Sequence, residues 1–232
     1  MDFAHFDKRN CPVVSARSGY GEWAAHYDAT VAEGLDRPLL GALRSVQWPE
    51  VRSAVDLACG TGRTGVWLAQ QGVRVIDGVD LTPEMLERAR ARQVYRTLQV
   101  ADIASTGLPS SGYDLCTMVL ADEHLADLRP VYREAARLLG TGGSFVVVGF
   151  HPYFLMNGIP THYHRASGEA VTIESHVHLF SAHVAAAADA GLRLDECREG
   201  VIDDAWLRDK PKWQKYLHWP VSFAFAWRRP GV

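Results

Sequence analysis

The stretch from Ser53 to Gly65, S-A-V-D-L-A-C-G-T-G-R-T-G, constrains the fold of this 232-residue chain more than any other. Ala54, Val55 and Leu57 form a short apolar run of the kind expected for a strand buried in a parallel sheet. Gly60 and Gly62 then turn the chain, and a helical spacing begins near Arg63 with Val66, Trp67 and Leu68. A strand, a glycine turn and a helix start make a ligand site, because glycine permits close backbone approach and the first amides of a helix are free.

Taken literally, Gly60, Gly62 and Gly65 satisfy G-x-G-x-x-G, the dinucleotide pattern. Asp56 speaks against a dinucleotide. A carboxylate just ahead of the turn repels a pyrophosphate and suits a cationic ligand. Asp80 closes a second apolar run (Val73, Val75, Ile76, Val79) about twenty residues past Gly60, where a carboxylate can accept hydrogen bonds from both ribose hydroxyls. The expected ligand is an adenosine with a positively charged tail.

The order V-D-L-A-C-G-T-G resembles motif I of the class I S-adenosylmethionine-dependent methyltransferases, and G-V-D-L-T-P-E-M-L resembles their second motif. A-D-I at 101–103, followed by Leu108-Pro109, resembles the segment whose Asp meets the adenine amino group while its neighbour packs on the ring. W-A-A-H-Y-D at 23–28 resembles their N-terminal capping helix, which extends here from Gly19 through Val31. The resemblance implies S-adenosylmethionine as cofactor, held by Tyr20, Tyr27, Asp56, Ala58, Gly60, Gly62, Asp80, Leu81, Met85, Asp102, Ile103 and Leu120.

Apolar runs at Thr97–Val100, Tyr113–Val119 and Ser144–Phe150 continue the strand–helix rhythm, and Leu192–Val201 and Val221–Trp227 look like a closing antiparallel hairpin. The expected fold is α/β: a doubly wound, seven-stranded, mostly parallel sheet with an antiparallel last strand. One domain is expected, with a helical cap over 1–48, the cofactor core over 49–150, a substrate-covering insertion over 151–179 and the C-terminal helix and hairpin over 180–232. Residues 1–18 lack periodicity and read as a loose or covering arm.

The acceptor side departs from the family. Where its members commonly continue apolar-His-His-apolar-Pro-Asp, this chain has Leu120-Ala121-Asp122-Glu123-His124-Leu125-Ala126-Asp127. Asp122 and His124 are candidate proton acceptors, as is His151 at the end of the fifth strand; a solvated helix cap is the other reading of Glu123 and His124. Trp23, Tyr153, His162, His176 and Trp206 are the candidate acceptor contacts, which favours an aromatic or heterocyclic small molecule. His162-Tyr163-His164 and His176-Val177-His178 each place two imidazoles on one strand face, yet no cysteine pair accompanies them and Glu169 and Glu174 complete no metal spacing, so no metal is expected.

A net charge of −3 disfavours a nucleic-acid surface, which needs clustered Lys and Arg. No apolar run reaches membrane-spanning length, no secretory signal is visible, and four scattered cysteines suit reduced thiols in the cytoplasm. Methylation of a small molecule in secondary metabolism is the expected activity. An NAD-dependent oxidoreductase, which would lack an evident Tyr-x-x-x-Lys, and a non-catalytic protein retaining the cofactor fold are the rivals.

Overall fold

Val55 and Leu57 have no exposed surface because their strand is hydrogen-bonded on both sides within the sheet. The computed structural model describes residues 1–31 and 33–231. The N-terminal part supplies β1 (Val13–Val14), α1 (Ala16–Trp23), α2 (Tyr27–Thr30) and α3 (Arg37–Ala42). The core follows with β2 (Ser53–Leu57), α4 (Arg63–Gln70), β3 (Val75–Asp80), α5 (Pro83–Ala91) and β4 (Thr97–Val100). It continues through β5 (Tyr113–Val119), α6 (Arg129–Leu138) and β6 (Leu139–Phe150). The segment after β6 holds α7 (Pro152–Met156), β7 (His162–His164) and β8 (Ala170–Ile173). The chain ends with α8 (Phe180–Asp189), β9 (Arg193–Val201), α9 (Asp204–Asp209) and β10 (Pro220–Arg228).

Seven strands form one sheet in the order β4-β3-β2-β5-β6-β10-β9, parallel except for β10, which runs antiparallel to both neighbours. The strand order reverses between β2 and β5, and ligands of such sheets sit beyond the carboxyl ends at that crevice. β10 is held by its aromatic inner face. Phe223, Phe225 and Trp227 are buried against Tyr132 and Phe145, and each such side chain stabilises the fold by roughly 1.5–3 kcal/mol through burial.

Three local readings change. The capping helix expected from Gly19 through Val31 is two helices, because the chain turns at Ala24–His26 and Trp23 Nε1 donates to Thr30 Oγ1 across the break. Residues 1–18 are tied down rather than loose: Phe3 is buried with Leu155 and Val177, and β1 pairs with β8. A two-residue strand is too short to carry a period. The β6 strand starts at Leu139, ahead of the expected Ser144, since Leu139 pairs with Tyr113 before the glycines bend the strand. Together β1, β8 and β7 form a second, small sheet beside α1.

Candidate functional site

Ala58, Gly60 and Gly62 have φ of 56°, 53° and 84°, so the loop after β2 is left-handed at alternate residues. Three of its amides are engaged within the protein: Cys59 N donates to Val79 O (3.0 Å), Gly60 N to Asp80 Oδ2 (2.8 Å) and Gly62 N to Cys59 O (2.9 Å). Asp80 Oδ1 accepts from Thr82 N (2.8 Å), so one carboxylate ties the glycine loop to the start of α5. Its remaining acceptor capacity borders a cavity. Burial pushes the Asp80 carboxyl above its usual range, and the Thr82 and Gly60 amides pull it back.

Gly65 serves packing rather than phosphate. A Cβ there would overlap the Tyr95 ring, and one at Gly62 would lie 3.0 Å from the same ring. Tyr95 is thus a wedge beneath the loop, and its hydroxyl donates to Asp56 Oδ2 (2.8 Å). Thr117 Oγ1 donates to Asp56 Oδ1 (2.8 Å), and the Gly65 amide at the start of α4 also stabilises that carboxylate. Asp56 therefore caps α4 from below and does not line the cavity, which corrects its expected contact with the cofactor. The carboxylate occupies the helix start where a phosphate would have to bind.

Burial raises the Asp56 pKa to about 6, against the lowering effect of Tyr95 and Thr117. A carboxyl whose folded pKa is raised favours the folded state below about pH 4, and that contribution is lost as the pH rises through 6. Tyr95→Phe removes one hydrogen bond to the ionised group, a loss of roughly 1.5–3 kcal/mol above pH 6 and less at pH 5, where Asp56 is protonated. Urea unfolding at pH 5 and pH 8 checks this. A stability gap between the two proteins that is no wider at pH 8 would contradict it.

The cavity at the carboxyl ends of β2, β3 and β5 measures about 150 Å³. Asp80, Leu81 and Met85 border it at the end of β3, Ala58 and Gly60 on the loop, and Asp102 and Ile103 after β4. Tyr20 and Tyr27 of the cap and Leu120 (φ 55°) complete the expected set; Gly62 does not reach the cavity because it sits under the loop on Tyr95. Arg17, Thr82 and Ala121 also line it and were not foreseen, since a helix face and a strand end reveal direction only once folded. The cap is pinned by Asp28, which accepts from Thr61 Oγ1 (2.6 Å) and pairs with Arg92 just after α5.

A second cavity of about 540 Å³ shares Tyr20, Tyr27 and Leu120 with the first. Its walls include Trp23, Phe150, Phe154 and Trp213, with His162, His164 and Glu123 among its polar groups. Of the expected acceptor contacts, Trp23 and His162 line it. Tyr153 does not: it is exposed and rests on Trp219. His176 also lies elsewhere, in a bridge to Asp2, and Trp206 lines a neighbouring cavity of about 570 Å³.

The candidate proton acceptors separate in the same way. His151 is outside both cavities: its Nδ1 accepts from Tyr153 N (3.1 Å) to cap α7, and its Nε2 meets Glu199 (2.9 Å). Asp122 is buried against Gly149 and His183 and lines neither cavity. His124 borders the first cavity, but both ring nitrogens are engaged. Nδ1 lies 2.7 Å from the Glu174 carbonyl and must donate to it, so Nε2 accepts from the Tyr20 hydroxyl (2.8 Å). Burial depresses the His124 pKa to about 4, so the imidazole is neutral at pH 7.

Glu123, unassigned by sequence reasoning, is the carboxylate that faces the larger cavity. It is 1% exposed, its Oε1 accepts from Thr161 Oγ1 (3.1 Å), and its Oε2 has no hydrogen-bond partner. Burial, reinforced by Asp122 beside it, raises its pKa to about 8. The sequence signal was a pair of carboxylates, followed by His124, inside a run from Met118 to Ala126 that is otherwise apolar. Among the described residues no group of three or more His, Cys, Asp or Glu is placed to hold a metal ion, and no helix is long and apolar enough to cross a membrane.

The fit to an adenosyl ligand is chemical: a strand-end carboxylate with spare acceptor capacity, an acidic and an apolar residue after β4, and loop amides consumed within the protein. The Methyltransferase domain family matches residues 55–147. Malonyl-acyl-carrier-protein O-methyltransferase from Serratia marcescens is 32% identical over 128 residues, covering 54% of this chain and 49% of that protein. Demethylmenaquinone methyltransferase from Thermus thermophilus is 34% identical over 104 residues, covering 42% and 47%. The chain spans about half the length of the curated relatives it matches. A crystal structure of an S-adenosylmethionine-dependent methyltransferase from Mesorhizobium loti superposes with a TM-score of 0.66 at 25% identity, over 83% of this chain and 96% of that one. Sheet order, loop and cavity define an adenosyl-binding α/β protein. Residues 55–147 match the methyltransferase domain family, and the fold is that of the class I S-adenosylmethionine-dependent methyltransferases.

Proposed function

We propose that this protein transfers a methyl group from S-adenosylmethionine to a small aromatic or heterocyclic acceptor, in the cytoplasm and as a step of secondary metabolism. The observation that carries this reading is the adjacency of the two cavities: Tyr20, Tyr27 and Leu120 line both the cofactor cavity and the aromatic one, so ligands in the two are neighbours. The bound cofactor would supply a methyl group activated by its sulfonium.

The chain's own part is to hold and align. Asp80 would receive the ribose hydroxyls, Asp102 and Ile103 would flank the adenine, and Tyr20, fixed by His124, would cover them. Burial keeps the phenols of Tyr20 and Tyr27 protonated, so they present hydroxyls rather than charges to a cationic group. Trp23, Phe154 and Trp213 exclude water from the acceptor, and alignment in a dry cleft provides most of the acceleration such a displacement needs. The free thiols of Cys11, Cys59, Cys116 and Cys197 suit a reducing compartment.

Calorimetric titration separates this reading from a dinucleotide enzyme. S-adenosylhomocysteine is expected to bind with micromolar affinity and NAD not to bind, because Asp56 already occupies the start of α4. Tight binding of NAD, or no binding of S-adenosylhomocysteine, would overturn the assignment.

A further inference from the structure

We infer that Glu123 takes the proton from a hydroxyl on the acceptor's aromatic ring, its unpaired Oε2 being the atom that receives it. The inference rests on the methyl-transfer reading above and adds the acceptor class to it: a phenol-like hydroxyl. Glu123 sits on a single turn, Asp122–His124, whose three side chains have different partners. Asp122 goes inward to His183, His124 is locked to Tyr20 and Glu174, and Glu123 alone borders the larger cavity. Thr161 from the loop before β7 fixes Oε1, while Oε2, like Asp122 Oδ1 on the same turn, has no hydrogen-bond partner. An unpartnered oxygen this deeply buried is costly unless a ligand completes it.

The surroundings select the ligand. The cavity is walled by Trp23, Phe154 and Trp213, which stack on planar rings, and an acidic hydroxyl is the ring substituent that a carboxylate both hydrogen-bonds and deprotonates. In the step, the acceptor oxygen forms a bond to the methyl carbon as the carbon–sulfur bond breaks. The electron pair of that bond stays on sulfur, and the hydroxyl proton passes to Glu123. The cavity that Glu123 borders adjoins the cofactor cavity at Tyr20, Tyr27 and Leu120, which line both, and the acceptor hydroxyl has to lie at that junction.

The groups facing Glu123 are Asp122 and His124 on its own turn, Tyr20 and Tyr27 on the cap, and His162 and His164 on β7. Lys210 and Lys212 lie across the cavity, and the His176 amide holds the Glu123 carbonyl. Burial keeps His124 neutral, and of this set Asp122 is the neighbour that works with burial to favour the protonated form of Glu123. Methyl transfer should therefore rise with pH along a single limb centred near 8.

The test uses 4-nitrophenol, 1-naphthol and 4-hydroxybenzoate as acceptors, with methyl ether formation followed by mass. Wild-type protein is expected to methylate at least one of them with that limb. Glu123→Gln should lower kcat about 10²–10⁴-fold and abolish the limb, while S-adenosylhomocysteine affinity stays within about twofold, which also verifies that the variant folds. Glu123→Asp should retain the limb at reduced rate. Independently of turnover, difference infrared spectroscopy should show a carbonyl band of a neutral carboxyl that titrates near pH 8, shifts when 4-nitrophenol is added and is missing from Glu123→Gln. An unchanged rate and limb in Glu123→Gln, methylation of none of the three phenols by cofactor-binding protein, or a band indifferent to 4-nitrophenol would each overturn the inference. Failure of wild-type protein to bind S-adenosylhomocysteine would instead overturn the cofactor reading.

Discussion

Replacing Asp80 by Ala is expected to weaken S-adenosylhomocysteine binding by about 10²–10³-fold, more than any other change on the cofactor side. Two losses combine. The Gly60 and Thr82 amides lose the carboxylate that joins the loop to α5, so the left-handed turn is no longer fixed from outside. The ribose hydroxyls lose their charged acceptor as well, and hydrogen bonds to charged groups contribute roughly 1.5–3 kcal/mol each. Asp80→Asn keeps the shape but must turn an NH2 toward one of the two amides or toward the ribose, so its affinity should fall between the two. Because burial holds the Asp80 pKa above its usual range, the same affinity should decline as the pH is lowered toward that pKa, where the acceptor becomes a carboxylic acid. Calorimetry on the three proteins decides the matter, and wild-type affinity in Asp80→Ala would remove the residue from the site.

The second large effect is on stability. Ala is the better helix former by about 1 kcal/mol, so Gly65→Ala in α4 should stabilise an isolated helix. In this protein the added methyl group would overlap the Tyr95 ring, which cannot retreat because Gly62 and Gly78 pack on its other parts and Asp56 holds its hydroxyl. Overpacking of this kind costs typically 1–3 kcal/mol, and displacing the ring also uncovers the buried Asp56 carboxylate. A net loss of about 2–4 kcal/mol is expected, or about 6–12 °C in Tm for a chain of this size. Tyr95→Leu in the Gly65→Ala background should recover part of the loss, so the two changes should be non-additive by at least about 1 kcal/mol. A melting temperature for Gly65→Ala equal to that of the wild type would show that the ring is free to move.

What the sequence revealed and what it hid follow from one distinction. Strands buried on both faces are written as continuous apolar runs, so β2, β3, β5 and β6 are visible, and the switch-point rule then puts Asp80, Leu81 and Ile103 beside a ligand before any coordinate is known. Direction is not written that way. Asp56 is at a strand end near the loop, as its position suggests, but its partners Tyr95 and Thr117 lie 39 and 61 residues away and draw it beneath the turn. His151 is at the end of β6, yet its ring turns back to cap α7. Glu123 was passed over beside Asp122 and His124 because the three follow one another on a tight turn, and which of them faces a cavity depends on packing that no spacing rule for helices or strands describes. The third glycine of G-x-G-x-x-G carries the same lesson: the pattern is real, and what it makes room for is an aromatic ring.

The N-terminal cap bears on both cavities at once. Tyr20 and Tyr27 line both cavities, and Asp28, next to Tyr27, ties the cap to Thr61 of the glycine loop and to Arg92 just after α5. A substitution that loosens the Asp28 tie is therefore expected to disturb both cavities together, because the same two rings line each.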